Sequence, residues 1–75
     1  MSEPRSLVGF PCRQRALVSD VRGDSGRIDK LAALGILPGI EIVLLQTKPV
    51  YVIECGETTL ALEQELAENV YVSEI

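Results

Sequence analysis

Between Arg27 and Gly39 the chain reads Arg-Ile-Asp-Lys-Leu-Ala-Ala-Leu-Gly-Ile-Leu-Pro-Gly, which is a short helix, its stop signal and the turn into a strand. Ile28, Leu31 and Ala32 fall at i, i+3 and i+4, and Leu34 extends the stripe, while Arg27, Asp29, Lys30 and Ala33 are free to face water. Gly35 is expected to end the helix, because the residue past a helix commonly needs a positive φ that glycine adopts without a Cβ clash. Pro38-Gly39 then supplies a fixed φ followed by a second permissive position. The segment Ile40 to Leu45 follows as an extended run with Ile40, Ile42 and Leu44 on one face.

The rest of the chain is read around this element. Arg15 to Val21 has the β-branched and apolar content of a first strand, preceded by a lead-in loop from Leu7 to Pro11. Asp24 or Ser25 is placed to cap the helix by accepting from a first-turn amide, a contribution of roughly 1 kcal/mol. Thr47-Lys48-Pro49 interrupts the second strand. Val50 to Cys55 alternates as a third, and Gly56-Glu57 makes a tight hairpin into a fourth at Thr58 to Leu62. Glu63 to Asn69 is long enough only for a short helical connection, and Val70-Tyr71-Val72 closes the chain as a last strand.

About five short strands with hairpin connections would leave adhesive edges in a flat sheet, so closure into a small, strongly bent barrel is the economical solution. The expected fold is mainly β with a helix: an SH3-like barrel whose helix is inserted between the first and second strands and plugs one end. A small open sheet with the helix on one face is the competing architecture. Seventy-five residues make one domain, spanning 1–75, and a chain of this size buries only about 60% of the surface it exposes on unfolding. Its hydrophobic share of 47% is too high for a disordered segment. Its uncharged apolar stretches, Ile42 to Leu45 among them, fall far short of the about 20 residues needed to span a bilayer. With no apolar signal region near the N-terminus, the cytoplasm is the expected compartment.

The net charge of −4 argues against a general nucleic-acid binder. All seven basic residues lie at or before Lys48, whereas Glu54, Glu57, Glu63, Glu65, Glu68 and Glu74 occupy the last third without a base among them. Folding either separates the two signs into a dipolar surface or interleaves them. Histidine is absent. Neither a Ser-His-Asp arrangement nor an imidazole zinc site can therefore be assembled, and no catalytic residue is assigned. Glu63, Glu65 and Glu68 lack an apolar pocket to raise a carboxylate pKa and read as a solvated face. Cys12 and Cys55 have no Cys-x-x-Cys spacing and read as free thiols filling space. Glu54, Cys55 and Glu57 lie along one hairpin, yet alternation turns Glu54 and Cys55 to opposite faces, so no metal site is assigned there either.

The order of motifs resembles the FeoA family, small cytoplasmic accessory proteins of bacterial ferrous-iron uptake, and the related barrel at the C-terminus of iron-dependent repressors. The resemblance is carried by Val18-x-x-Val21-x-Gly23-Asp24, by Arg27-x-x-x-Leu31-x-x-Leu34-Gly35-Ile36-x-Pro38-Gly39, by the strand containing Ile42, by Gly56 followed by Leu60-Ala61-Leu62, and by Ala67-x-x-Val70-x-Val72. This chain has Cys12-Arg13 where members often place a glycine, Glu63 where they usually carry an arginine, and only Thr47-Lys48-Pro49 in a loop that is commonly longer. The resemblance implies a non-enzymatic adaptor that docks on the cytoplasmic GTP-binding domain of the FeoB iron transporter. It also implies at most weak binding of a divalent transition metal such as iron. No cofactor is otherwise evident.

Docking of this kind requires an exposed patch, strand edge or groove on a rigid scaffold. The expected patch lies at the helix end and the following turn, where Leu37 and Pro38 project and Arg27 and Lys30 form a basic rim. The alternative reading places Leu37 in the core and leaves the two bases as solvated helix charges. Two other functions stay open: a regulatory peptide-binding barrel of the repressor type, and a small RNA-associated barrel. The RNA reading requires exposed aromatics for base stacking, and only Phe10, Tyr51 and Tyr71 are available.

Overall fold

The computed structural model describes residues 3–75. Eight elements follow one another: β1 (Arg5–Ser6), β2 (Arg15–Val21), α1 (Ser25–Ala33), β3 (Glu41–Gln46), β4 (Tyr51–Cys55), β5 (Thr58–Leu62), α2 (Gln64–Ala67) and β6 (Val70–Glu74). The strands form one antiparallel sheet of six in the order β1-β6-β2-β3-β4-β5. The expected count of about five is therefore short by one. The missed strand, β1, is two polar residues that pair with Val72 and Tyr71 of β6 and show no alternation to read. Counting it moves the inserted helix to the interval between β2 and β3.

One face of this sheet supplies most of the core. Ala16 and Val18 of β2, Ile42 and Leu44 of β3, Tyr51 and Ile53 of β4, Leu62 of β5, and Val70 and Val72 of β6 are all buried together. The helix adds only Leu31 from its own span. A single sheet with so little helical cover can bury its inner face only by curling over itself, which is the SH3-like arrangement. The hydrogen-bonded ladder nevertheless stops at β1 and β5, so two edges remain. The rest of the core comes from outside the strands: Leu7, Phe10, Ile36, Leu66 and Ala67. Leu7 and Phe10 lie in the segment read as a lead-in loop, which is held to β6 by the Leu7 N–H donating to the Val70 carbonyl at 2.8 Å.

Two irregularities bend the sheet. The pairing of β2 with β6 shifts between Val18 and Asp20, leaving Ser19 as an extra residue, and that of β3 with β4 shifts between Leu44 and Gln46. An inserted residue kinks its strand and strengthens the local right-handed twist, which is what a short strand needs to turn a barrel corner. At Ser19 the bulge also exchanges faces. Val18 points inward, but Asp20 is exposed and Val21 packs against the core. The Ser19 hydroxyl hydrogen-bonds the Ser73 hydroxyl across the β2–β6 pair at 2.7 Å.

Arg13 sits in the left-handed region at φ 71, and its N–H donates to the Leu44 carbonyl at 2.7 Å. Glycine would take this conformation without a Cβ penalty. Balanced against glycine's greater loss of chain entropy, Arg13→Gly is expected to stabilise the fold by about 0.5 kcal/mol, raising the thermal midpoint by roughly 2–4 °C. A lowered midpoint in a calorimetric scan would show that the arginine side chain contributes more than its backbone strain costs.

Candidate functional site

The helix end is built by backbone hydrogen bonds that can be named one by one. At the start, Asp24 rather than Ser25 is the cap: its Oδ1 accepts from the Arg27 N–H at 2.9 Å. At the finish, Leu34 is the C-cap and Gly35 takes φ +90. The Gly35 N–H donates to the Ala32 carbonyl and the Ile36 N–H to the Leu31 carbonyl, each at 2.9 Å. Those two bonds define a Schellman motif, in which the residue two past the cap usually meets the residue three before it. Leu31 and Ile36 are that pair, and both are fully buried in the common core.

With Leu31 and Ile36 committed inward, the residues between and after them have to turn out. Leu34 is 37% exposed and Leu37 is 47% exposed. Leu37 opens a turn in which Pro38 and then Gly39, at φ +97, occupy the central positions and the Ile40 N–H donates back to the Leu37 carbonyl at 3.3 Å. This is a type II turn, with proline and glycine at the positions that favour them. The Gly39 N–H bonds the Val18 carbonyl and the Val18 N–H bonds the Ile40 carbonyl, so the turn is fastened to β2 on both sides. Leu37 thus projects from a rigid corner. The reading that placed it in the core does not hold.

The apolar stripe expected to bury the helix is mostly at the surface. Steps of three residues drift by about 60° per step around a helix of 3.6 residues per turn, so Ile28, Leu31 and Leu34 form an inclined ridge and not one flat face. Only Leu31, at its middle, reaches the core. Ile28 is 37% exposed and Ala32 is half-buried. Arg27 and Lys30 are exposed beside this ridge, but Arg27 also reaches across to α2, with its Nη2 at 3.6 Å from Oε2 of Glu65. A pair this exposed contributes little stability, about 0–1 kcal/mol. Its effect is on charge, since it partly neutralises one of the two bases of the rim.

Elsewhere the charges interleave as well. Arg15 of β2 pairs with Glu41 of β3, and that hydrogen-bonded carboxylate holds the Arg15 guanidinium above its usual pKa. Arg22 binds Asp20 at 3.0 Å and lies over the Tyr71 ring at 3.9 Å, while Arg5 lies over the Phe10 ring at 4.9 Å. Phe10 and Tyr51 are buried. The three aromatic faces that base stacking would require are therefore in the core or covered by arginine. Cys12 is exposed and Cys55 half-buried, both as free thiols. Glu54 is exposed while Cys55 packs toward the core. Among the described residues no three Cys, Asp or Glu side chains converge as metal ligands. Among the same residues no helix is long and apolar enough to cross a membrane.

The fold and this surface together define a small SH3-like β-module that presents an apolar helix end to solvent. Residues 5–74 match the family model described as the FeoA domain. The chain belongs to the FeoA family, whose members are small accessory domains linked to ferrous-iron transport. Comparison with curated proteins gives no significant sequence match. Among solved structures, the crystal structure of an iron uptake regulatory protein (FeoA) is similar at a TM-score of 0.89 and 23% identity, covering 99% of this chain and 100% of the other. A FeoA-like protein from Clostridium acetobutylicum gives 0.88 and 19%, over 100% of this chain and 91% of the other. A manganese-dependent transcriptional repressor in complex with manganese gives 0.90 and 15%, over 100% of this chain but 38% of the repressor. At such identities the likeness is one of fold. It extends to the SH3-like C-terminal domain of metal-dependent repressors.

Proposed function

We propose that this chain is a non-enzymatic accessory protein of bacterial ferrous-iron transport, acting in the cytoplasm by docking on the GTP-binding domain of a FeoB-type transporter. Family membership supports the setting. The observation that carries the docking mode is the helix end, where Leu34 and Leu37 are held in solvent by a Schellman motif and a type II turn. Presenting apolar side chains from a rigid corner lowers the ordering cost of association, because the backbone around them is already fixed. Lys30 adds an exposed positive charge at the same end of the helix. In this reading Arg27, Lys30, Leu37 and Pro38 form the contact, with iron as the transporter's cargo.

Isothermal titration against the soluble GTP-binding domain of such a transporter tests the reading. Leu37→Glu is expected to weaken binding at least ~10-fold, as loss of a central apolar anchor does. Because Leu37 is half in solvent, the same variant is expected to change folding stability by no more than ~0.5 kcal/mol. Absence of heat and of chemical-shift changes at hundreds of micromolar would overturn direct docking. Wild-type affinity in a folded Leu37→Glu protein would move the contact away from the helix end.

A further inference from the structure

The sheet ends in two edges that are treated very differently. At one, β1 is two residues long and carries the exposed Arg5, and a short, charged edge resists pairing with another chain. At the other, β5 is five residues, Thr-Thr-Leu-Ala-Leu, without charge, proline or bulge. Charge, proline and bulge, three of the usual protections, are thus missing from its span.

The hydrogen-bonding groups of that edge follow from the hairpin. Gly56, at φ 63, and Glu57 form a two-residue loop with glycine at the first central position, the type II′ pattern. Such a loop closes on a hydrogen-bonded pair, here Cys55 and Thr58, and bonded pairs then alternate: Ile53 with Leu60 and Tyr51 with Leu62. Thr58, Leu60 and Leu62 direct their N–H and C=O groups to β4. Thr59 and Ala61 direct theirs to the open side, and both residues are exposed.

We propose that the open edge of β5 is a second docking surface, separate from the helix end, which receives an extended segment of a partner protein as an added antiparallel strand. That segment has an uncharged, alternating centre and Lys or Arg at its ends. The charge requirement comes from what brackets the edge. Glu57 stands at the hairpin end, Glu63 at the other, Glu54 lies opposite Thr59, and no Lys or Arg follows Lys48. The same residues argue against a second copy of this chain. In a fully overlapped antiparallel pair centred on Leu60, Glu57 of each copy would oppose Glu63 of the other, and like charges directly opposite are destabilising. A basic-flanked strand converts both repulsions into attractions.

The test is an amide-resolved NMR titration of the full chain with a synthetic peptide of alternating Thr and Val between lysines. The peptide is N-methylated along one edge so that it cannot pair with itself. The Thr59 and Ala61 amides are expected to shift and to exchange at least ~10-fold more slowly with solvent, as amides do when a new ladder protects them. The matching glutamate-flanked peptide is expected to bind at least ~10-fold more weakly. Ala61→Pro removes an outward N–H while leaving the bonds to β4 in place, and is expected to abolish the response. If that variant does not fold, Glu57→Lys combined with Glu63→Lys is expected to reverse the preference between the two peptides. Equal binding of both peptides, or unperturbed Thr59 and Ala61 amides at hundreds of micromolar peptide, would overturn the proposal. So would a concentration-dependent dimer that Ala61→Pro dissolves, which would assign the edge to a second copy.

Discussion

Leu31→Ala is expected to lower the thermal midpoint by roughly 10–30 °C, the equivalent of about 2–5 kcal/mol for truncating a fully buried leucine in a domain of this size. Total stability for a chain of 75 residues is on the order of 4–11 kcal/mol, so the variant loses a large share of it and, toward the lower end of that range, is substantially unfolded at physiological temperature. The position is unusually exposed to such a loss. Leu31 is the only residue of α1 with its side chain in the core, and it is also the partner of Ile36 in the contact that stops the helix. Truncating it leaves a cavity and releases the helix together. Ile28→Ala, one turn earlier and 37% exposed, is the control, with an expected cost of less than ~1 kcal/mol. Equal losses in calorimetry for the two variants would mean that α1 is held by the whole ridge and not by its midpoint.

Gly35→Val is expected to cost about 2–3 kcal/mol, because a β-branched residue must then occupy a positive φ. A Cβ placed on Gly35 meets nothing within 4 Å. The cost therefore comes from the backbone and not from a collision, which separates two explanations that a single substitution would confuse. Asparagine, the other residue that tolerates this conformation, is expected to cost no more than ~1 kcal/mol at the same position. Chemical denaturation of both variants decides the matter. If valine and asparagine prove equally tolerated, the left-handed cap is not what ends the helix. A variant that keeps the fold but loses the cap would also release Leu34 and Leu37 from their fixed directions, so transporter-domain affinity is expected to fall further than stability does.

The segment from Leu31 to Gly39 is also the most legible part of the chain. Gly35 as a helix stop, Pro38-Gly39 as the turn and Ile42 and Leu44 as inward residues all follow from local chemistry, and each is found as read. The hairpin at Gly56-Glu57 and the bounds of β2 and β5 were equally local. The features that the letters do not show have a different character. β1 exists because β6 pairs with it, and Arg5-Ser6 alone contains nothing that specifies extension. Leu7 and Phe10 lie in a loop as expected, yet both belong to the core, which no window of a few residues can state. The bulges at Ser19 and Leu45 are likewise visible only in the pairing of β2 with β6 and of β3 with β4.

The candidate surfaces divide along the same line. The amphipathic spacing of Ile28, Leu31 and Leu34 was plain from the letters, yet it implied burial for all three. Only the packed molecule shows that a barrel so small admits a single side chain of α1, leaving Ile28, Leu34 and Leu37 partly in water. The open edge of β5 is a matter of strand order, which is settled by pairings between distant residues. Local backbone preference and hydrophobic period thus determined where elements begin, end and turn, since those effects act over a few bonds. Which apolar residues remain outside, and which strand keeps an unpaired edge, was decided by competition for one limited interior, and that competition exists only once the whole chain has folded.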